Sequence, residues 1–242
     1  MTVLSRFDEK LLREHFPDEK SFLSAKKRVE SGEPLAYVIG EWYFYGLTFK
    51  LNDACLIPRP DTEHIVEAAI KQIGKNGRFA DLCTGSGCIA VSVVKNRPDL
   101  KCEGYDVSEK ALLMAKKNAT LNGVRIDFFT ADVLNTTPEN GIYDAVVSNP
   151  PYIKSDVIPT LETVQNEPKA ALDGGEDGLT FYREIVKRYA PSLKENGIFI
   201  FEIGYDQGQD IKKISEENGF ACEVTKDYGG NDRVAILSKH CL

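Results

Sequence analysis

The chain has 242 residues, of which 42% are hydrophobic and 28% are charged, and its formal net charge at pH 7 is −7. This length suits one domain of about 150–200 residues with a small additional segment, and the composition is that of a globular protein. No apolar run reaches the ~18 residues that a membrane helix needs. The acidic balance disfavours nucleic acid as a partner, because nucleic-acid binders usually carry a basic patch. We expect a cytoplasmic protein with no membrane partner.

The six cysteines form no CxxC pair and lie near no histidine at the spacing of metal ligands. Several fall in runs that predict buried strands, where a free cysteine behaves as a small hydrophobic residue. We therefore expect reduced thiols in a reducing compartment, with neither disulfide bonds nor a metal site. The three histidines, His15, His64 and His240, are scattered along the chain, and none is predicted to act as a base or a ligand.

Residues 1–31 predict a short helical segment, since FDEKLLREHF and KSFLSAKKRVES place apolar residues three to four positions apart. The sequence SGEP ends that pattern. Residues 32–57 follow as a linker, in which YVIGEWYFYG and LTFKL predict a β-hairpin around Gly46. From residue 58 to residue 242, strand-like and helix-like segments alternate, which is typical of a parallel sheet covered by helices.

Seven strands are predicted in this main domain. Five of them lie at 78–83, 101–106, 126–130, 143–148 and 198–203, and helices are predicted at 88–96, 109–118, 179–192 and 206–218. The last two β runs, FACEVTKD and RVAILSK, are joined by a loop so short that they must pair antiparallel. The predicted fold class is therefore α/β, with a doubly wound, seven-stranded, mostly parallel sheet that is preceded by a helical segment and a hairpin.

A glycine-containing loop joins the first of these strands to the helix after it, and its polar and small residues are Asp81, Cys83, Thr84, Gly85, Ser86 and Gly87. Its glycines allow a tight turn with no Cβ in the way of a ligand, and the helix offers unpaired N–H groups. Asp106 ends the next strand, where a carboxylate can accept hydrogen bonds from both hydroxyls of a ribose. Together these features predict a nucleoside-containing cofactor, but the spacing from Gly85 to Ala90 also satisfies the NAD pattern.

The segment Asn149-Pro150-Pro151-Tyr152 follows the fourth strand, at the carboxyl edge where open α/β sheets bind ligands. Because its two prolines have no N–H groups, the turn offers the Pro150 carbonyl and the Asn149 side-chain oxygen as acceptors. Both can accept hydrogen bonds from one NH₂ group and aim its nitrogen at an electrophile. Tyr152 can lie against the flat group that carries this nitrogen. The segment therefore predicts an enzyme that modifies a planar amide or amine nitrogen.

At these residues the chain resembles the amino-methyltransferases of the class I, Rossmann-like S-adenosylmethionine fold. A wider set of segments makes it similar to the peptide-chain release factor glutamine methyltransferases, and these segments are 32–37, 56–63, 149–153, 167–183, 202–204 and 227–233. The resemblance covers roughly residues 32–240. That family usually has a longer N-terminal helical domain, which helps to dock the release factor, whereas here only about 30 residues precede Gly32.

The resemblance implies transfer of a methyl group from S-adenosylmethionine to the side-chain nitrogen N5 of a glutamine in a peptide chain release factor. The catalytic role falls to Asn149, Pro150, Pro151 and Tyr152. The residues implied to bind the cofactor are Asp81, Cys83, Thr84, Gly85, Ser86, Gly87, Asp106, Asp132, Val133 and Asn149. For Asp132 a solvated loop acid is an equally good interpretation. Arg59 and Glu167 are either substrate contacts or a structural ion pair.

Three other functions stay open at this point. An amino-methyltransferase of adenine in nucleic acid would use the same NPPY geometry on a flipped base, although the acidic charge and the IPRPDTE segment disfavour it. A nicotinamide dehydrogenase accounts for the glycine spacing and Asp106 but not for NPPY. A catalytically idle module that docks on the translation machinery would have no need of the intact motif. The oligomeric state is not indicated by the sequence.

Overall fold

The computed structural model describes residues 4–137, 139, 141–161 and 164–239. Its N-terminal part contains helices α1 (Arg6–His15), α2 (Glu19–Glu30) and α3 (Leu35–Ile39), and then a hairpin of β1 (Glu41–Phe44) and β2 (Leu47–Lys50). The apolar side chains of the three helices form one small cluster of Leu12, Phe22, Ala25, Val29 and Val38. The prediction that the hairpin begins at residue 37 is wrong, because residues 37–39 belong to α3.

A seven-stranded sheet forms the centre of the remaining described chain. Its strands are β3 (Arg78–Leu82), β4 (Lys101–Asp106), β5 (Asp127–Thr130), β6 (Tyr143–Ser148), β7 (Leu193–Glu202), β8 (Ala221–Lys226) and β9 (Asp232–Ser238). Their order is β5-β4-β3-β6-β7-β9-β8. Strand β9 runs antiparallel to both of its neighbours, and the other pairs are parallel. The predicted fold class is confirmed, including the antiparallel pair at the end of the chain.

Helices cover both faces of this sheet, and they are α4 (Glu63–Gln72), α5 (Cys88–Asn96), α6 (Glu109–Leu121), α7 (Thr180–Tyr189) and α8 (Gly208–Glu217). Successive side chains of a strand point to opposite faces, so each strand contributes to two cores. Ile198 and Ile200 pack with α4, α5 and α6 on one face, whereas Phe199 and Phe201 pack with α7 and α8 on the other. None of the helices in the described ranges is long and apolar enough to cross a membrane.

The direction in which the chain adds strands reverses at the pair β3–β6. Strands β4 and β5 lie on one side of β3, whereas β6 and β7 lie on the other. Ligands of open α/β sheets bind where the order reverses, outside the carboxyl ends of the strands. Leu82 and Ser148 are register partners at this point, so Cys83 and Asn149 leave the sheet side by side. The glycine-containing loop and the NPPY turn therefore meet at one edge of the sheet.

The aromatic core on the α7–α8 face provides a test of this packing. The ring of Phe199 is wholly buried, and its centroid lies 5.5 Å from that of Phe201 and 5.3 Å from that of Phe220. We expect Phe199→Ala to lower the free energy of unfolding by about 3–5 kcal/mol, because the change removes buried area and leaves a cavity. Phe7→Ala is the control, since Phe7 is 69% exposed. Urea denaturation followed by circular dichroism measures both, and equal losses would contradict this assignment of the core.

Candidate active site

A cavity of about 650 Å³ opens at the carboxyl edge of the sheet, at the point where the strand order reverses. This volume lies within the range of small-molecule and cofactor sites. The glycine-containing loop, the turns after β4 and β5, and the NPPY turn form its wall. Of the residues predicted to form the site, the wall contains Cys83, Thr84, Gly85, Ser86, Asp106, Asp132, Val133, Asn149 and Pro151. Asp81, Gly87, Pro150 and Tyr152 lie outside the wall.

The glycine-containing loop has a constrained backbone. Cys83, Gly85 and Gly87 all have positive φ angles, of 57°, 55° and 78°. A Cβ added to Gly85 would meet no atom nearer than 4.0 Å, so this glycine leaves open space toward the cavity. A Cβ added to Gly87 would lie 3.1 Å from that of Ala115, so the second glycine lets α5 begin close to α6. A positive φ is costly for a cysteine, and such strain is typical of functional loops.

Asp81 is completely buried beneath this loop. Its Oδ2 accepts hydrogen bonds from the Thr84 hydroxyl at 2.5 Å and from the Ala90 backbone N–H at 3.2 Å. Burial raises the pKa of Asp81 to about 7, although these two hydrogen bonds act in the opposite direction. Asp81 was predicted to contact the cofactor, but the structure places it where it braces the loop against the start of α5.

Asp106 lies on the cavity wall at the end of β4. Its Oδ2 accepts from the Gly85 N–H and its Oδ1 from the Ser108 N–H, both at 2.8 Å. Burial raises the pKa of Asp106, and the backbone hydrogen bonds lower it. Each carboxylate oxygen has more than one lone pair, so both oxygens can still accept a hydrogen bond from a hydroxyl group of a ligand. The Ser86 hydroxyl, also on the wall, is buried without a hydrogen-bond partner among the described residues.

The next part of the wall is the turn after β5. The carboxylate of Asp132 accepts from the Leu134 N–H at 3.0 Å and from Asn135 Nδ2 at 2.6 Å. These bonds fix the turn, while Val133 is buried and gives the cavity an apolar surface. Asp132 thus holds its own turn and borders the cavity, and its contact with a cofactor stays a prediction.

Asn149 is oriented by a residue that the sequence interpretation did not single out. Its Nδ2 donates to the Thr62 hydroxyl oxygen at 3.3 Å, which leaves Oδ1 for a ligand in the cavity. Tyr152 lies behind the turn, with its hydroxyl 3.4 Å from Oε1 of Glu202. Glu202 ends the apolar strand β7 and is buried, and a carboxyl at the end of such a strand is the signal that could have indicated its importance.

Close backbone contacts hold the NPPY turn in place. A Cβ on Gly174 would lie 2.6 Å from Tyr152 Cα, and a Cβ on Gly178 would lie 2.4 Å from the Tyr152 carbonyl oxygen. Gln207 Nε2 donates to the carbonyls of both Tyr152 and Gly178, at 3.1 Å in each case. Because a buried side-chain amide needs hydrogen-bond partners, Gln207 fixes the backbone of the NPPY turn through these two carbonyls. The sequence interpretation assigned it no role.

Arg59 and Glu167 form the ion pair that was one of the two predicted alternatives. The Glu167 side chain is 1% exposed, and its Oε2 accepts from the Ile57 N–H at 3.0 Å while Oε1 pairs with the Arg59 guanidinium. This pair ties the segment before α4 to the loop after the NPPY turn. Arg59 itself lines the cavity, so the pair also fixes part of the cavity wall.

The remaining sequence predictions concern the cysteines, the histidines and a possible metal site. Cys55, Cys83 and Cys88 border the cavity as free thiols, and burial raises the pKa of each. Within the described ranges, no group of His, Cys, Asp and Glu side chains is arranged to hold a metal ion. His240 and Cys241 lie outside the described residues.

Structures of other proteins share this fold. A methyltransferase from Pyrococcus furiosus superposes with a TM-score of 0.63 at 16% identity, over 90% of this chain and 99% of that one. The ribosomal protein L11 methylase from Lactobacillus delbrueckii subsp. bulgaricus superposes with a TM-score of 0.57 at 22% identity, over 79% of this chain and 86% of that one. At these identities the likeness shows the fold alone.

Sequence comparison gives a narrower result. Residues 61–199 match the model of the methyltransferase small domain. A release factor glutamine methyltransferase from Fusobacterium nucleatum subsp. nucleatum is 42% identical over 91% of this chain, which spans 63% of that relative. Those of Thermodesulfovibrio yellowstonii and Neisseria gonorrhoeae are 44% and 40% identical over 86% and 92% of this chain, which spans 77% and 84% of them. The chain therefore belongs to the methyltransferase small domain family and to the release factor glutamine methyltransferases.

Proposed function

We propose that this protein transfers a methyl group from S-adenosylmethionine to the side-chain nitrogen N5 of a glutamine in a peptide chain release factor. The observation that carries the proposal is the orientation of Asn149, whose Nδ2 is bonded to Thr62 so that Oδ1 is left for a ligand at the cavity wall. An acceptor at this place suits a substrate that presents an NH₂ group. Because release factors act on ribosomes, the reaction would take place in the cytoplasm.

The residues of the cavity fit S-adenosylmethionine. Asp106 offers acceptors for the two ribose hydroxyls, and Gly85 leaves room for a ligand close to the loop backbone. The unpartnered Ser86 hydroxyl gives a further polar contact, and Val133 gives an apolar surface against which the flat adenine can pack. A solved protein of the same fold, M. jannaschii TYW2, is in complex with AdoMet, at a TM-score of 0.54 and 16% identity.

The chemical task of the protein is to position a poor nucleophile. An amide nitrogen reacts slowly because its lone pair is delocalised, and S-adenosylmethionine supplies the electrophilic methyl group. Asn149 Oδ1 and the carbonyl of Pro150, which lies between the wall residues Asn149 and Pro151, would accept hydrogen bonds from the substrate NH₂ and fix its plane. Well-oriented groups can reach effective molarities of about 10⁵–10⁸ M, so positioning alone can supply much of the rate enhancement. The same acceptors bind more strongly as the nitrogen gains positive charge, which stabilises the transition state.

The substrate glutamine must reach a turn at the edge of the sheet with a short side chain. The backbone on either side of it therefore has to come close to the enzyme. Neighbouring glycines would remove the side chains that block this approach, so we expect the glutamine to lie beside glycines in an exposed loop of the release factor.

Asn149→Ala tests the reaction and the role of the NPPY turn together. With methyl-labelled S-adenosylmethionine, we expect the wild type to methylate a release-factor glutamine, located by mass spectrometry of the digested protein. The variant should bind the cofactor with unchanged affinity, and its single-turnover rate should fall by a factor of about 10²–10³, which is the usual effect of losing one orienting polar contact. Bulk nucleic acid is incubated in parallel. Methyl groups on adenine with none on glutamine would overturn the proposal, and a variant rate near that of the wild type would show that the turn is only structural.

Asp106→Ala tests the cofactor site. We expect the affinity for S-adenosylmethionine to fall by about 1.5–3 kcal/mol, the range for hydrogen bonds to a charged group. Isothermal titration calorimetry measures it, with NAD as the control ligand that should not bind. The matched control variant is Asp127→Ala, which removes an exposed carboxylate at the opposite end of the neighbouring strand. Unchanged affinity in Asp106→Ala would exclude the assignment.

Gly178→Ala tests how far turnover depends on the backbone of the turn. The new Cβ would lie 2.4 Å from the Tyr152 carbonyl oxygen, so the turn must shift, and we expect kcat to fall by about tenfold or more because small misplacements are costly. The control is Gly123→Ala, since Gly123 has a similar positive φ and no atom within 4 Å of the added Cβ. Both changes strain the backbone, and only the first should affect kcat. Equal kcat values in the two variants would contradict the prediction.

A further inference from the structure

Three side chains from different elements meet behind the cavity. Asn149 follows β6, Thr62 ends the 3₁₀ turn Pro60–Thr62, and Glu202 ends β7. Thr62 and Glu202 are 2% and 1% exposed. The Thr62 hydroxyl oxygen accepts from Asn149 Nδ2 at 3.3 Å, and the Thr62 hydroxyl also lowers the pKa of the buried Glu202 carboxyl, as a hydrogen-bond donor to it would. These contacts join Glu202 to Asn149 through one hydroxyl group.

The Glu202 carboxyl needs a donor. Its Oε1 has a long contact with the Tyr152 hydroxyl, at 3.4 Å, and its Oε2 is buried with no partner of ordinary hydrogen-bond geometry in the described part of the chain. A buried carboxylate oxygen without a donor is unfavourable. The hydrogen of a threonine hydroxyl can rotate toward such an acceptor, so Thr62 is the available donor.

We propose that Glu202 is a positioning residue that determines, through Thr62, which end of the Asn149 amide faces the substrate. This inference rests on the proposed function, because it concerns the acceptor for the substrate NH₂. It adds to that function a buried group that never touches the substrate.

The direction of the hydrogen bonds follows from what each group can do. An ionised carboxylate only accepts, so the Thr62 hydroxyl must donate to Glu202. The Thr62 oxygen can then accept from Asn149 but cannot donate to it. Its partner must therefore be the NH₂ end of the amide, which turns Oδ1 toward the cavity. In the reversed orientation the amide would present N–H groups to the N–H groups of the substrate, and no hydrogen bond could form.

The charge of Glu202 controls this arrangement. Burial raises the pKa of Glu202 to about 7, whereas Thr62, Arg233 of β9 and Tyr152 lower it and Asp61 raises it. A protonated Glu202 can donate to the Thr62 oxygen, and the hydroxyl is then free to donate to Asn149 Oδ1. The ionised form is thus the one that enforces the productive orientation.

Two further groups face Glu202 from the helices packed on either side. Tyr182 of α7 donates its hydroxyl to the Glu202 backbone carbonyl at 2.8 Å, and Cys88 at the start of α5 is close enough for the Glu202 charge to raise the pKa of its thiol. Burial keeps the pKa of both groups far above 7, so neither changes charge in the range where Glu202 titrates. The activity should therefore decline as the pH falls through about 7, since it requires the ionised carboxylate.

The first test is the matched pair Thr62→Ser and Thr62→Val. Serine keeps the hydroxyl, and valine keeps the shape of threonine without it. We expect kcat on a release factor to fall by about tenfold or more in Thr62→Val and by less than about threefold in Thr62→Ser, with the Kd for S-adenosylmethionine unchanged in both. The Thr62→Val change should have no further effect in an Asn149→Ala background, because both act through one acceptor. Equal kcat values for the serine and valine variants would overturn the proposal.

The second test does not depend on turnover. The ¹⁵N-edited spectrum of the wild type contains the side-chain amide of Asn149, which is identified by its loss in Asn149→Ala. We expect these signals to shift with an apparent pKa near 7 in the wild type and to lose that dependence in Glu202→Gln, a change that keeps the shape of the side chain. If the signals do not respond to pH, the proposal fails even where the enzyme is active. If they respond but no glutamine is methylated, the proposed function fails and the hydrogen-bond chain stands.

Discussion

The buried amide of Gln207 joins the three loops on which the active-site wall depends. Its Nε2 donates to the carbonyls of Tyr152 and Gly178, and its Oε1 accepts from the Gly204 N–H at 2.8 Å. Because a buried amide is stable only when its donors and acceptors are paired, the three loops must adopt compatible positions together. The NPPY turn is therefore fixed through the backbone carbonyl of Tyr152, and the Asn149 side chain is oriented by a separate contact.

Two buried carboxyls flank this arrangement, Asp81 under the glycine-containing loop and Glu202 behind the NPPY turn, and burial raises the pKa of each to about 7. A carboxyl whose pKa is higher in the folded than in the unfolded protein contributes stability that is complete below the unfolded pKa of about 4 and is lost as the pH rises through the folded pKa. At neutral pH both residues therefore weaken the fold. Their positions suggest the compensating advantage, because each carboxyl fixes the loop or side chain from which a ligand would be held.

Local patterns account for most of what the sequence predicted correctly. The alternation of strand-like and helix-like segments indicated the main sheet, and the strand–loop–helix order indicated where a cofactor would bind. The start of the first hairpin was wrong because α3 has only five residues, too few for a helical period to be recognised. The role of Thr62 could not be inferred, since its partner Asn149 lies 87 positions away. A contact of this kind follows from the tertiary packing that brings the turn Pro60–Thr62 beside the residue after β6, and it has no local signal.

The direction of the hydrogen bonds also bears on which side chains the site would accept. With Thr62 bonded to Nδ2, the Asn149 amide presents an acceptor, and the prolines of the turn contribute no N–H group. A glutamine amide has two N–H donors to satisfy such acceptors. A glutamate carboxylate of the same shape would place its negatively charged oxygens against these carbonyl oxygens, which carry partial negative charges, and no hydrogen bond could form. Enzymes whose sites hydrogen-bond an N–H group of the substrate discriminate against analogues without that group by a factor of about 10⁴–10⁵ in kcat/KM. A difference in shape alone achieves far less. Discrimination between glutamine and glutamate would thus depend on the orientation of one amide.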